Sequence, residues 1–394
     1  MLAIDGAKSI GAKILVAGGG RCNVTHHAVD ETAYAGSSRA AIRNVLRGFD
    51  VARTIDFFAK EGVELKREET GKLFPTTDTA RSVLDALLRA AEEAGVGLMH
   101  PWRVESIERN AGAFEIRRSG ENLGPAADAP NMIRAHRVIL AAGGKSLPKT
   151  GSDGHGYDIA RSLGHSITPA VFPGLVPLVV DPSRTFITQL PGLTQDCTIE
   201  LRSGTGKKLV SFTNSLLCTH FGLSGPAALD ISRYYTDAKR NDAGAQLVLN
   251  WAPGRSFEDV DAYLAGDPRI SVGRRLAQLL PERLARALCA HTGIEAATLG
   301  SRLKREERRA LAHAVTNLVV PVTGDRGYLF AEVTAGGVPL SEVQLATMES
   351  RVCPGLHLCG EICDVDGRIG GFNFQWAWSS GYSAGVGAAK GLAV

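Results

Sequence analysis

The run Gly360-Glu361-Ile362-Cys363-Asp364-Val365-Asp366-Gly367-Arg368-Ile369-Gly370-Gly371-Phe372-Asn373-Phe374-Gln375 constrains this chain most, because it sets an acidic strand end, a glycine turn and a helix start in direct succession. Leu356-His357-Leu358-Cys359 reads as a short buried strand with Glu361 at its carboxyl end. Gly370 and Gly371 let the backbone pass close to a ligand before a helix that begins near Phe374. The unsatisfied N–H groups at such a helix start face an anion or an electron-rich ring edge. The helical segment 375–385 carries Ser, Gly and Ala on one side, and because such residues weaken a helix their number signals a packing demand. This is the layout of a nucleotide-cofactor site.

Two further glycine-rich segments repeat the theme. Lys13-Ile14-Leu15-Val16-Ala17 leads into Gly18-Gly19-Gly20-Arg21-Cys22-Asn23, a loop that exposes backbone and offers a guanidinium and an amide. Taken alone, three glycines fit a plain tight turn equally well. Val138-Ile139-Leu140-Ala141-Ala142 reads as a buried parallel strand ending in Gly143 and Gly144, followed by a loop over 145–156 and a helix over 157–163. Helical patterns cover 40–61 and 80–94, the second opened by the cap signal Thr77-Asp78-Thr79.

From 177 the pattern changes to short alternating runs at 197–201, 208–212 and 246–250, which predict a small antiparallel barrel. Residues 256–314 are helical and basic, with Arg274, Arg275, Arg283, Arg286 and the run Arg302-Leu303-Lys304-Arg305-Glu306-Glu307-Arg308-Arg309. Interspersed glutamates and apolar residues at helical spacing favour a solvated face over a nucleic-acid surface. The expected organisation is therefore α/β: a discontinuous dinucleotide-binding domain over 1–176 and 331–394, interrupted by a β-barrel insert over 177–255, a helical subdomain over 256–317 and return strands over 318–330.

The chain has 394 residues, 44% of them hydrophobic, and a net charge of +3 with the charges well mixed, so nothing global calls for nucleic acid or a membrane. It has no apolar run of membrane-spanning length and no signal-peptide pattern at Met1, which predicts a cytoplasmic protein. Seven scattered cysteines, an odd number, predict reduced thiols, and the spacing of Cys353, Cys359 and Cys363 matches no zinc or dithiol motif. A catalytic serine elbow, a phosphate-binding Walker loop and a metal-ligand pattern are all missing, so no metal is expected.

Four blocks carry a family resemblance: AGGGRCNVTH at 17–26, VILAAGGKSLPKTGSDGHGYDIARSLGH at 138–165, THFGLSGPAALDIS at 219–232 and GEICDVDGRIGGFNFQWAWSSGYSAG at 360–385. Together they resemble the NAD(P)/FAD-dependent oxidoreductases that include aminoacetone oxidases and bile-acid 3-dehydro-4,6-reductases. The resemblance implies a Rossmann-like FAD-binding domain whose inserted substrate domain roofs the flavin. It implies that Asp5 binds the adenosine ribose, that Gly19, Gly20, Arg21 and Asn23 lie near the flavin or pyrophosphate, and that Gly143 and Gly144 pass beside the cofactor. Gly360 and Glu361 would contact the ribityl or pyrophosphate region, and Asp366, Gly370, Gly371, Phe372 and Asn373 the flavin side. Cys22 would then be a small packing residue or one that tunes the flavin. His220, in the third block, could orient a substrate carbonyl or accept an amine proton, or be a histidine satisfied by structural hydrogen bonds.

The chain departs from that family at its start. Members open with a strand, a Gly-x-Gly-x-x-Gly turn and a helix, and the ribose-binding acid follows about 20 residues later. Here Asp5 stands almost at the first residue, so the first βα unit would lie upstream of Met1. Either the start codon lies upstream or the chain is a truncated product, in which case an unpaired sheet edge and weakened FAD affinity are expected. Three functions stay open. These are amine oxidation with oxygen as acceptor, enone reduction with NAD(P)H as transient donor, both acting on a small-molecule substrate, and a flavin-deficient protein that acts at most as a binding protein.

Overall fold

The computed structural model describes residues 1–120 and 129–392. The chain divides into two compact units, Met1–Pro173 with Glu332–Val394, and Gly174–Ala331.

The first unit is a Rossmann-type α/β domain whose parallel strands are short. Leu2–Ile4 pairs with Gly97–Met99, and Val138–Leu140 pairs with Leu356–Leu358, both in parallel register. Each pair stands in its own sheet, and among the described residues no ladder joins them. The edge of Leu2–Ile4 away from Gly97–Met99 is thus without a strand partner, and Leu2 is 42% exposed. Val138 and Leu140, Leu356 and Leu358, with Trp102 and Trp376, form the core between the second pair and its covering helices.

Local chemistry sets the helices. The continuous pattern over 40–61 is in fact two helices, Arg39–Gly48 and Val51–Lys60. Asp50 takes an extended conformation and its carboxylate accepts from the Arg53 N–H, so a strong cap starts a second helix where apolar spacing alone suggested one. Thr79 caps Ala80–Glu93 in the same way through the Arg81 N–H. The terminal helix Phe372–Lys390 buries Phe372, Gln375, Trp376, Ser379, Ser380, Ser383, Ala384, Gly387 and Ala388, an unbroken three-and-four spacing along one face. Its buried Ser380 turns back on the helix, donating to the Trp376 carbonyl at 2.6 Å, and Ser379 Oγ lies 2.8 Å from the Gln375 carbonyl and 2.6 Å from that of Phe49. Gly387 lies against the Thr347 backbone, where a Cβ would stand 2.6 Å from the carbonyl oxygen.

The second unit corrects the expectation of a barrel. Among the described residues seven strands form one antiparallel sheet in the order Leu318–Val320, Gln246–Asn250, Thr194–Arg202, Lys208–Cys218, Gly222–Ser224, Leu178–Val180, Val322–Asp325. The two end strands are consecutive in the chain, joined through Pro321 alone, so the sheet is rolled until its ends meet. No ladder closes it among the described residues, and proline at the seam has no N–H to donate. The helix Gly225–Asn241 and the helices Phe257–Leu264, Glu282–His291 and Arg305–Thr316 share its core, which includes Ile199, Leu216, Leu247, Trp251, Leu284 and Leu311. Several of the basic residues are tied within this unit: Arg308 pairs with Asp261 at 2.9 Å, Arg286 with Glu282 at 2.5 Å, and the buried Arg275 donates to the Tyr263 carbonyl at 3.0 Å.

Candidate cofactor site

Within the first unit, the ends of three elements converge on Glu361. The strand Leu356–Leu358 runs into Gly360, whose φ of 75° favours glycine and whose carbonyl accepts from the Trp376 indole at 3.0 Å. Glu361 follows, and its carboxylate is clamped by three donors: Lys13 Nζ at 2.5 Å, Ser146 Oγ at 2.7 Å and the Thr334 N–H at 3.0 Å. Lys13 Nζ also donates to Ser146 Oγ at 2.7 Å. Thr334 Oγ1 in turn accepts from the Lys145 and Ser146 N–H groups at 2.7 and 3.0 Å. Gly144 is confined here, because a Cβ would strike Thr334 Oγ1 and approach Glu361 Oε1 to 2.8 Å. Gly143 has a φ of 70°, and its added Cβ would stand 2.7 Å from Ser152 Oγ. Their smallness therefore serves the clamp and its loop.

The helix Ala12–Val16 carries Lys13 and ends in the glycine corner. Gly18, Gly19 and Gly20 follow one another at φ of 57°, 69° and 87°, and Cys22 adopts 60°, a left-handed conformation costly for a non-glycine residue. A Cβ added at Gly19 would meet nothing within 4 Å, and at Gly20 nothing nearer than the Leu15 carbonyl at 3.8 Å. Gly18 is packed, its added Cβ standing 3.0 Å from Phe74, so the open cradle of backbone is Gly19 and Gly20. Asn23 lies behind it, 8% exposed, with its Oδ1 buried and without a hydrogen-bond partner among the described residues. A buried acceptor left unmade costs about 1–3 kcal/mol, so this oxygen is matched to a donor that the chain does not supply. Both features fit a flavin dinucleotide, which needs close backbone approach and carries a ring N–H.

Other expected residues turn inward. Arg21 is not a free cation: its guanidinium pairs with Glu68 at 2.7 Å, lies 3.7 Å from Asp78 and stacks over Phe74 at 4.1 Å. Asn373 spends both amide groups on one backbone unit, Oδ1 accepting from the Gly367 N–H at 2.8 Å and Nδ2 donating to its carbonyl at 3.0 Å. Burial pushes the Cys22 thiol up to about 12, so it stays protonated and packs as a small apolar group. Asp5 sits at the end of Leu2–Ile4, exposed, and its carboxylate accepts from the Ala7 N–H at 2.7 Å. Asp366 is buried in the strand Val365–Gly367, which pairs with Tyr34–Gly36.

Gly370 and Gly371 have φ of 124° and 95°, and the helix Phe372–Lys390 starts after Gly371 with no side-chain cap. A Cβ at Gly371 would stand 2.5 Å from the carbonyl carbon of Thr25, so this glycine lets the helix start lie on the strand Thr25–His26. Phe372 is held there by His26, stacked at 4.9 Å, and by the Tyr34 hydroxyl, which donates to its carbonyl at 2.8 Å. His220 belongs to the second unit, where its exposed ring meets Phe221 edge-on at 5.1 Å and makes no hydrogen bond among the described residues.

Three residues of the clamp, Lys13, Ser146 and Thr334, escaped sequence reasoning. Lys13 precedes the glycines by a few residues, but no spacing rule links it to a carboxylate so far along the chain.

A family model described as HI0933-like protein Rossmann domain matches residues 1–387. The chain is 33% identical to a 3-dehydro-bile acid delta(4,6)-reductase of Clostridium scindens, over 98% of this chain and 92% of that protein. It is 33% identical to a ribosomal RNA dihydrouridine synthase of Escherichia coli, over 97% and 90%. A protein of the same name from Haemophilus influenzae is 30% identical, over 96% and 90%. With matches that run nearly end to end, the chain is a member of the HI0933-like Rossmann family of FAD-dependent oxidoreductases.

Proposed function

We propose that this protein reduces a carbon–carbon double bond conjugated to a carbonyl, with FAD as its cofactor and NAD(P)H as the electron donor. The structural observation that carries the cofactor half is the open Gly19–Gly20 corner backed by the unpartnered Asn23 Oδ1. The reaction half is supported by what two differently named relatives share. A 3-dehydro-4,6-diene bile acid and the uracil ring each present an alkene in conjugation with a carbonyl, and each name denotes its saturation.

Bound FAD supplies hydride exchange at its N5. The chain's own residues hold and orient. Gly19 and Gly20 would admit the cofactor to the backbone, and Asn23 Oδ1 would accept from its ring N–H. Asp5 accepts from the adenosine ribose. Glu361, held in place by Lys13, Ser146 and the Thr334 N–H, presents a fixed carboxyl edge. The N–H groups after Gly371 donate to the electron-rich side of the ring. On the second unit we assign His220 to substrate handling, since its ring is exposed and uncommitted.

The test uses FAD-loaded protein under anaerobic conditions. Bleaching of the flavin by NADPH or NADH is followed by addition of either a 3-keto-4-ene bile acid or ribosomal RNA, and the product is examined for the gain of two hydrogens. Return of the flavin colour with either substrate is expected. Failure of both to reoxidise it, with anaerobic bleaching of the oxidised flavin by a primary amine in place of NAD(P)H, would refute the reading.

A further inference from the structure

The second unit carries an arginine held by aromatic rings. Arg326 lies just beyond the strand Val322–Asp325, with its guanidinium carbon 3.7 Å from the centroid of Phe330 and 4.4 Å from that of Phe221. Its guanidinium makes no hydrogen bond and no ion pair among the described residues. The nearest acid in sequence, Asp325, is turned away into its own turn, where it accepts from the Gly327 N–H at 2.7 Å. Ring faces attract a guanidinium but do not use its N–H groups, so the donors of Arg326 remain available.

The arrangement is rigid. The central strand Leu178–Val180 pairs with Gly222–Ser224 on one side and with Val322–Asp325 on the other, so the loops that carry Phe221 and Arg326 grow from neighbouring strands. The Phe221 carbonyl accepts from the Val180 N–H at 3.0 Å, the Arg326 N–H donates to the Pro177 carbonyl at 3.1 Å, and the Phe330 N–H donates to the Gly327 carbonyl at 3.0 Å. Beside the guanidinium, Phe330 is 46% and Leu329 55% exposed, an apolar surface adjoining an uncommitted cation.

We infer that Arg326, seated on Phe221 and Phe330, is an oxyanion-binding site for an organic anion, a carboxylate or phosphate carried on a flat apolar or aromatic body. The guanidinium fork takes the oxyanion in two parallel hydrogen bonds, and Phe330 with Leu329 covers the adjoining body. Two sources fit this chemistry, a steroid acid and a nucleotide phosphate. The inference needs no flavin chemistry and stands apart from the reduction proposed above.

The experiment measures equilibrium binding of four probes to the full chain: deoxycholate below its micelle concentration, its neutral methyl ester, uridine 5′-monophosphate and uridine. The wild type is expected to prefer the charged member of one pair by about tenfold or more. R326M should abolish that preference, R326K should retain part of it, and F330A should weaken both members of the pair. A preference within the deoxycholate pair identifies a carboxylate ligand, and one within the uridine pair a phosphate. Equal binding of charged and neutral probes by the wild type, or an unchanged preference in R326M, overturns the inference. Flavin content and circular dichroism of the same samples separate a lost site from a misfolded chain and from failure of the flavin reading.

Discussion

Gln375 should prove to be the residue that ties the start of the terminal helix to the rest of its unit, and Gln375→Leu tests this. The side chain is 1% exposed and all four of its hydrogen-bonding positions are used. Its Oε1 accepts from Thr25 Oγ1 at 2.7 Å and Thr54 Oγ1 at 3.0 Å, and its Nε2 donates to the Phe49 carbonyl at 3.0 Å and to Ser379 Oγ at 3.2 Å. Leucine removes all four bonds but does not strand every partner. Thr54 Oγ1 still reaches the Asp50 carbonyl at 3.1 Å, and the Phe49 carbonyl keeps the Ser379 hydroxyl at 2.6 Å. Thr25 Oγ1 alone is left in a fully buried place without an acceptor. One stranded hydroxyl costs about 1–3 kcal/mol, and the loss of the replaceable bonds brings the total to roughly 2–4 kcal/mol. Thr25→Val in the leucine background removes the orphan, whereas in the wild type it costs only about 1 kcal/mol, because Gln375 Oε1 keeps Thr54. The cycle should therefore show a coupling of about 2–4 kcal/mol. Urea unfolding of the four proteins reads it, with three of the four tryptophans, Trp102, Trp376 and Trp378, in the unit concerned. Additivity within about 0.5 kcal/mol would refute the argument.

Two further outcomes are expected. Gly371→Ala places a Cβ 2.5 Å from the Thr25 carbonyl carbon at a φ of 95°, a strain of roughly 1–3 kcal/mol before the clash is counted, so flavin absorbance after desalting should fall well below wild type; undiminished retention would show that this glycine is not needed. The second concerns acid. Hydrogen bonding from Arg43 lowers the Glu31 carboxyl from 4.5 to about 2. A depressed folded value means stabilisation that is complete above 4.5 and lost as the pH falls towards 2. The gap in urea midpoint between wild type and R43M should be constant at neutral pH, close over that window and shrink in high salt, since Arg43 is exposed. A gap that persists below pH 2, or that widens with acid, is the contrary result.

What the sequence determined by itself is local. The strand Leu356–Leu358 with an acid after it, the glycine pair ahead of the terminal helix and the Thr79 cap each depend on residues a few positions apart, where backbone preference and capping act. The stripe of Ser, Gly and Ala on the terminal helix announced close packing correctly, although its polar residues hide the apolar periodicity that usually marks a buried face. The same local reading merged two helices at Asp50, because apolar spacing continues through a break that one carboxylate enforces. Only the tertiary structure decided the rest. Lys13 and Glu361 stand 348 residues apart, and Ser146 and Glu361 215, yet they form one clamp. Arg21 and Asn373 resemble ligand-binding side chains in sequence, but packing brings Glu68 and the Gly367 backbone within their reach first. Among the described residues, the roll of the seven-stranded sheet likewise stops short of closure at Pro321. A hydrogen-bond donor carries no record of its distant acceptor. That choice is made when burial excludes water and each polar group must take the partner that the packed chain has placed nearest.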